Sequence, residues 1–514
     1  MWTVCRRVAV VATVVVAVAG HAWAQGGVLR VGIPSIPTSL DPATALEGPV
    51  SVIARQIFDT LVHYRDGSSD IEPGLASQWS VSRDGLTWTF RVREGVRFHD
   101  GTALTAQHVV ESLDRVVQPG APNAPSPNVA APRLVRGTPG VVKEIRALDG
   151  RTIQISLLIP YAPLPAVLAH PAFSIVLASR VGQRWVGTGP FALTEATAGR
   201  VVLDATAGYW SGSARSTRLV FLETGEDARG EAMLEAQGID VLLLSTSPTH
   251  PTGTLSTPGW RVGYIALQAE QDPFSRTKAR KAVAAALEPA LLAPAVGPVR
   301  VPLLSFLPLG AWARRDGPPA LEANPAKAKR LLNEAGFPRG TSAGLLLADD
   351  EGGRRPHLGP LAEAIRTSLA AVGITVPVQT EPAETALELA RTGQFQMTVL
   401  EARMEAGDPH FLLYPLSSSE GASKGPAATN MSFYRNRTLD DLLIRASQVS
   451  FRPERQRLYV RAQAMLAEEM PWVPLYVRLH WAAIRPEVRN LRLHPSGNPR
   501  FDRVWNDAPA APRQ

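Results

Sequence analysis

The segment WSVSRDGLTWTFRVREGVRFHDG, residues 79–101, alternates apolar and polar residues and is broken by tight turns. Leu86, Trp88, Phe90 and Val92 fall on one side of a strand, and Thr87, Thr89, Arg91 and Arg93 on the other, the two-residue period of a half-buried sheet. Asp84-Gly85 turns the chain into this strand, Glu94-Gly95 turns it out, and Val96-Arg97-Phe98 resumes the alternation. Asp100-Gly101 makes a third turn, after which Thr105 is placed to cap a helix burying Val109, Val110 and Leu113. His99 and Asp100 are neighbours at the end of a strand and point to opposite faces. The pair therefore reads as a solvated hairpin end, not a catalytic dyad.

Outside this segment, the amino terminus predicts export. Arg6 and Arg7 precede an apolar run at residues 8–20, and Ala22-Trp23-Ala24 supplies a cleavage pattern. That run is too short for a membrane span of about 20 residues, so residues 1–24 read as a removed leader. The sole cysteine, Cys5, would leave with it, and the mature chain would rely on its core without a disulfide. The chain has 514 residues, room for two or three domains. Its 53 basic and 46 acidic residues are mixed along the sequence, which gives no basic stripe for nucleic acid.

The second half alternates helices and strands. Asn324 caps a helix with Pro325 in its first turn and Gly336 at its end. Leu345–Leu347 form a strand, Leu358, Leu361, Ile365 and Leu369 mark a helix, and Ile374, Val376 and Val378 form a strand. A helix at 384–391 and a strand at 395–400 follow. This order predicts an open parallel α/β sheet, whose ligands sit beyond the carboxyl ends of the strands. The best-placed loop is therefore EARMEAGDPHF, residues 401–411, with Glu405, Asp408 and His410 as candidate ligand contacts.

Other motifs fail on context. Gly340-Thr341-Ser342-Ala343-Gly344 matches a hydrolase nucleophile elbow, but a helix precedes it and a strand follows, the reverse of what that motif needs. Gly187-Thr188-Gly189-Pro190-Phe191 lacks the Lys and the helix start of a phosphate loop, and reads as a turn entering a strand. The histidines lack zinc spacing and no cofactor motif is present, so the expectation is no metal and no cofactor.

Taken in order, LDPATAL, the run from EPGLASQW to VVESLDRV at residues 72–116, VGTGPF, GYW, RKAVAAALEP, AKRLLNEAGFP, DPHF, DDLLIRASQ and MPWVPLY resemble the extracellular solute-binding proteins of the peptide/nickel class, family 5. The resemblance implies a two-lobed α/β periplasmic-binding-protein fold with an extra subdomain. Lobe I would be assembled from residues 28–47, 185–261 and 482–507, the subdomain inserted at 48–184, and lobe II would span 262–481. It also implies a monomer without enzymatic activity that captures a peptide or peptide-like solute between its lobes and delivers it to the permease and ATPase of an ABC importer. The alternatives are a receptor for a nickel or other metal complex or another non-peptide solute, and, in a different class, a secreted hydrolase using Ser342 or the carboxylates.

In peptide-binding members an aspartate in this loop pairs with the ligand's amino terminus. Asp408 matches it, or Glu405 if the loop aligns differently, and His410 matches a histidine of nickel-binding relatives. Three positions depart from the family's habit. Arg403 stands where an aromatic is common, Gln268 replaces an asparagine, and Glu288-Pro289 replaces Asp-Arg. Arg403 and Gln268 complete the candidate contacts, with Arg403 expected to favour an anionic ligand group.

Overall fold

The computed structural model describes residues 26–507 apart from 45–46, 118–139, 178–184, 245–246, 249–252, 298–299, 304, 317–321, 339 and 350–356. The leader at 1–24 and the Pro-rich loop read at 119–139 lie outside, or all but outside, these residues.

The quoted segment forms a sheet as its alternation requires. Strand Thr87–Val92 pairs antiparallel with Ala76–Val81 on one side and Thr152–Leu157 on the other, and Val142–Ala147 completes four strands. Trp88, Phe90 and Val92 are buried while Arg91 is exposed. The helix Ala106–Val117 covers this sheet, and Thr105 accepts from the His108 amide at its first turn.

His99 departs from expectation. It is half-buried, its ring Nε2 lies 3.0 Å from the Gly189 carbonyl, and its amide donates to Gly187. The histidine thus grips the glycine-rich turn 90 residues away instead of ending in solvent. That turn enters the strand Phe191–Thr197 as predicted. A Cβ at Gly187 would stand 2.2 Å from the Ile57 carbonyl, so only glycine lets the backbones meet. Thr188 and the GYW residues Tyr209 and Trp210 all donate to the buried Asp59, at 3.1, 2.9 and 2.8 Å. Two separated motifs therefore serve one buried carboxylate.

The second half folds in the predicted β-α-β-α-β order. Strand Leu345–Ala348 pairs parallel with Val378–Glu381 and with Met397–Arg403, giving the order third, first, second strand across the sheet when read from Met397–Arg403 through Leu345–Ala348 to Val378–Glu381. Asn324 accepts from the Lys327 amide at 2.9 Å and caps Pro325–Glu334. Two details differ from the sequence reading. The strand at 374–378 is split at Pro377 into Ile374–Thr375 and Val378–Glu381, because proline cannot donate to a ladder. The last strand continues to Arg403, so Glu401 and Arg403 stand within the sheet, opposite Gly263 and Arg261, and the loop proper starts at Met404.

The parallel sheet does not end there. Met397–Arg403 pairs antiparallel with Thr254–Leu267, which pairs with Trp472–Ile484, and this strand pairs in turn with Val241–Leu244. Beyond it lie Gly26–Ile33, Ser216–Glu223, Arg200–Ala205 and Phe191–Thr197. One sheet of eleven strands therefore runs through both lobes. Its register slips between Pro258 and Val262, opposite Leu479 and Val477.

The first lobe's core gathers Leu29, Val31, Ile53, Phe191, Phe221 and, from the far end of the chain, Phe501 and Val504. Gln56 ties the last segment down by donating to the Pro499 carbonyl and accepting from the Phe501 amide. The segment 48–184 also reaches beyond this core. Ala162 donates to the Ser447 carbonyl and Asp70 pairs with Arg452, while Tyr64 packs edge-on against Trp260 with ring centroids 5.2 Å apart.

Candidate interlobe binding site

The strand Met397–Arg403 and the turn after it place the predicted contacts. Gly407 adopts φ 65° with Trp260 and Tyr64 each 2.9 Å from where a side chain would begin, so the chain turns sharply under two rings. The turn separates Glu405, which is half-buried, from Asp408, which is buried.

Asp408 is 2% exposed, and its Oδ1 accepts from Arg455 Nη2 at 2.9 Å, the His410 amide at 3.1 Å and the Tyr459 hydroxyl at 3.3 Å. Burial alone would push the Arg455 guanidinium down, but Asp408 and Tyr459 outweigh it and hold Arg455 above its ordinary value. The carboxylate is engaged inside the protein.

His410 begins the helix His410–Ser417 instead of lying in an open loop. Its ring stacks on Tyr414 at 5.0 Å and meets Tyr161 edge-on at 5.8 Å, and burial pushes its pKa down to about 4. Among the described residues no group of three or more His, Cys, Asp or Glu side chains is arranged to hold a metal ion. Gln268 is fully buried, donating to the Gly393 carbonyl and accepting from the Glu270 amide, so it braces a loop. Glu288 accepts from the Ala290 amide as the cap of Pro289–Ala295. Ser342 is exposed in a two-residue strand paired with Ile374–Thr375.

Arg403 and Glu405 belong to a chain of charges, a seam that joins the end of the strand Met397–Arg403 to Glu47 near the start of the chain. Arg403 lies 3.3 Å from Glu47 and 3.6 Å from Glu405. Glu47 also pairs with Arg261, which reaches Glu401 at 3.9 Å, and Glu401 faces Arg300 at 3.8 Å. Burial would raise the Glu47 carboxyl, but Arg403 and Arg261 outweigh it and hold it below the usual range. Arg403, expected to favour an anionic ligand group, is thus paired with two carboxylates of the protein itself. Glu405, at the end of the chain, is the one driven the other way. Burial raises its pKa, opposed only in part by Arg403, and its buried Oε2 has no hydrogen-bond partner.

Sequence reasoning missed Glu47, Arg261, Glu401, Arg300 and Tyr476. The last four line a cavity of about 350 Å³ beside the strand Met397–Arg403, with Arg478, His357, Leu358, Leu387 and Val399. A smaller, mostly apolar pocket of about 190 Å³ lies at the carboxyl ends of the first lobe's strands, bounded by Ile33, Leu244 and Trp481. Two cavities flanking a charged seam in a two-lobed α/β molecule are what a solute receptor needs.

The profile described as "Bacterial extracellular solute-binding proteins, family 5 Middle" matches residues 70–424. The chain belongs to the bacterial extracellular solute-binding proteins, family 5. It is 29% identical over 503 residues to a heme-binding protein A of Haemophilus influenzae, covering 90% of each chain. It is 27% identical over 479 residues to a dipeptide-binding protein of Escherichia coli K12, covering 87% of this chain and 88% of that one. Among solved structures, that of HbpA2 from Haemophilus parasuis superimposes with a TM-score of 0.84 at 25% identity, covering 93% of this chain and 99% of the other. These relationships bear out the two-lobed periplasmic-binding-protein fold read from the motifs. Family 5 solute-binding proteins serve ABC transporters as carriers of small solutes. None of the helices among the described residues of this one is long and apolar enough to cross a membrane.

Proposed function

We propose that this family 5 protein captures a peptide-like solute carrying a cationic amine, with Glu405 as the amine's partner, and passes it to the permease and ATPase of an ABC importer. In this reading the leader at 1–24 directs it to the periplasm, and it acts by binding, without chemistry of its own. The observation that carries the reading is the state of Glu405. It is a half-buried carboxyl at the seam with an unmatched buried oxygen, and a ligand ammonium would supply both the missing hydrogen bond and the charge that favours ionisation. Asp408 gives up this role because Arg455 already holds it.

The likenesses to dipeptide- and glutathione-binding proteins support a peptide-like ligand. The register slip at 258–262 is where we place the hinge, and closure about it would shut water out of the seam.

Titration calorimetry with di- and tripeptides tests the assignment. Glu405→Gln is expected to weaken binding of a free-amine peptide ~30-fold or more and to leave an N-acetylated peptide unaffected. Equal affinities of wild type and variant for the free-amine peptide would remove Glu405 from the role.

A further inference from the structure

We propose that the turn between the helices Arg437–Gln448 and Arg452–Glu469 docks on a membrane surface of anionic phospholipid, with Phe451 entering the bilayer interface and Arg445 and Arg457 meeting phosphate groups. The inference does not depend on which solute the protein carries.

Apolar exposure is concentrated at this turn. Eight large apolar side chains are well exposed among the described residues, and four of them, Leu158, Ile159, Ile444 and Phe451, gather at one junction. There the Ala162 amide donates to the Ser447 carbonyl, and a Cβ at Gly85 would stand 2.9 Å from Pro160 and 3.6 Å from the Gln448 carbonyl. Leu158 and Ile159 come just before Ala162, and Ile444 and Phe451 lie on either side of Ser447. Phe451 is the most exposed of the eight, at 63%. It also holds the cap position of the helix Arg452–Glu469, where it makes no side-chain cap bond. Ser, Thr, Asp or Asn there would satisfy an amide of the first turn. The chain forgoes that stabilisation and leaves most of an aromatic ring uncovered, a local rule broken without a compensating contact.

The charges around the ring are layered. Arg445 and Arg457 both pair with Glu454, at 3.2 and 3.4 Å, and Arg452 pairs with Asp70. The three arginine side chains are 54–75% exposed, whereas Glu454 and Asp70 are each 28% exposed. The carboxylates thus lie beneath and the guanidinium groups outermost, so an approaching surface meets positive charge first. Asp441, the exposed carboxylate of the helix Arg437–Gln448, has Arg437 and Arg445 one turn to either side. Arg83 and Asp84, at the turn beside Gly85, are both exposed and offset one another. Outside the described residues, carboxylate side chains occur only at Asp350 and Glu351, which follow Asp349, held through its amide by Glu381 on the outer strand of the large sheet.

A bilayer surface has the complementary order, with phosphate outermost and hydrocarbon beneath. Guanidinium groups hold phosphate through paired N–H donors, and an aromatic ring with aliphatic neighbours partitions into the interface just below. Held this way, a receptor would meet its permease by diffusing along the membrane.

The mature chain has no cysteine once Cys5 leaves with the leader, so a single one can be introduced and labelled. Phe451→Cys, and Leu291→Cys on the helix Pro289–Ala295 as a control, would each carry an apolar, environment-sensitive fluorophore. With vesicles of phosphatidylglycerol and phosphatidylethanolamine the emission at position 451 is expected to shift to the blue, and that at 291 to stay. Vesicles of phosphatidylcholine alone should shift neither. In flotation of the unlabelled mature chain with the anionic vesicles, Phe451→Ser should weaken binding ~10-fold or more. Arg445→Gln and Arg457→Gln should each weaken it about five-fold, and added salt should weaken the wild type. Serine is favoured at a helix cap, so Phe451→Ser should unfold in urea at or above the wild-type midpoint, which separates lost binding from lost fold. Failure of the wild type to float with anionic vesicles would overturn the proposal and leave the patch to a protein partner. Equal flotation with phosphatidylcholine, unchanged binding in Phe451→Ser, or equal shifts at 291 and 451 would each overturn it as well.

Discussion

Replacing Asp408 separates an internal ion pair from a ligand anchor. In Asp408→Asn the side-chain oxygen remains and can still accept from the His410 amide, the Tyr459 hydroxyl and Arg455, so packing and hydrogen bonds survive. What disappears is the negative charge facing Arg455, whose side chain is 7% exposed. Arg455 keeps its bond from Nε to the Ala446 carbonyl at 2.7 Å and lies over the Trp312 ring at 5.1 Å, which offsets part of the loss. Breaking a buried pair from one side costs about 3–5 kcal/mol. With these residual contacts, the lower end, about 3 kcal/mol, is expected for the unliganded protein. Urea unfolding followed by tryptophan fluorescence measures it. Arg455→Met alone should cost a similar amount, and the double variant should recover at least half of the summed loss, because neither charge is then stranded. If Asp408→Asn unfolds at the wild-type midpoint yet loses peptide affinity, the carboxylate serves the ligand and the reasoning from Arg455 fails.

Three other outcomes follow from the structure. Phe90→Ala should lower stability by about 3 kcal/mol or more by emptying a fully buried aromatic site, and a wild-type melting curve would contradict the assigned face. Peptide affinity should fall as pH drops through the raised Glu405 pKa, starting above the 4.5 of an ordinary glutamate, since the ammonium needs the ionised carboxyl. Calorimetry across pH should find that loss absent in Glu405→Gln. Burial holds His410 and His480 at about 4 and His494 at about 3, so their contribution to stability is complete above the unfolded value near 6.5 and drains away as pH falls toward 4. Urea midpoints at pH 7 and pH 5 should differ accordingly, and His494→Gln should narrow the gap.

Local order was readable where one short segment carried its own pattern. Trp88, Phe90 and Val92 showed their buried face by alternation, and Asn324-Pro325 marked a helix start by cap chemistry alone. The parallel arrangement of Leu345–Ala348, Val378–Glu381 and Met397–Arg403 came from element order. The misreadings share a cause, which is partnership across sequence distance. Asp408 looked available because its arginine comes 47 residues later, and His99 looked solvated because its carbonyl partner comes 90 residues later. Arg403 looked like a free cation because Glu47 lies in the other lobe. A charge cannot be judged available from its neighbours in the chain when the fold supplies its counter-ion.

The seating of Phe501 and Val504 in the first lobe's core has a consequence for biosynthesis. The ring of Phe501, which packs beside the sheet of the strand Gly26–Ile33, leaves the ribosome only after the several hundred residues that separate the two. At about 5–20 residues per second the gap between them lasts roughly half a minute to a minute and a half. Throughout that interval the lobe lacks Phe501 against Phe221 and the clasp from Gln56. The nascent chain therefore stays open to whatever handles unfolded polypeptide for that interval, and the strand Gly26–Ile33 waits through it for its lobe to be sealed.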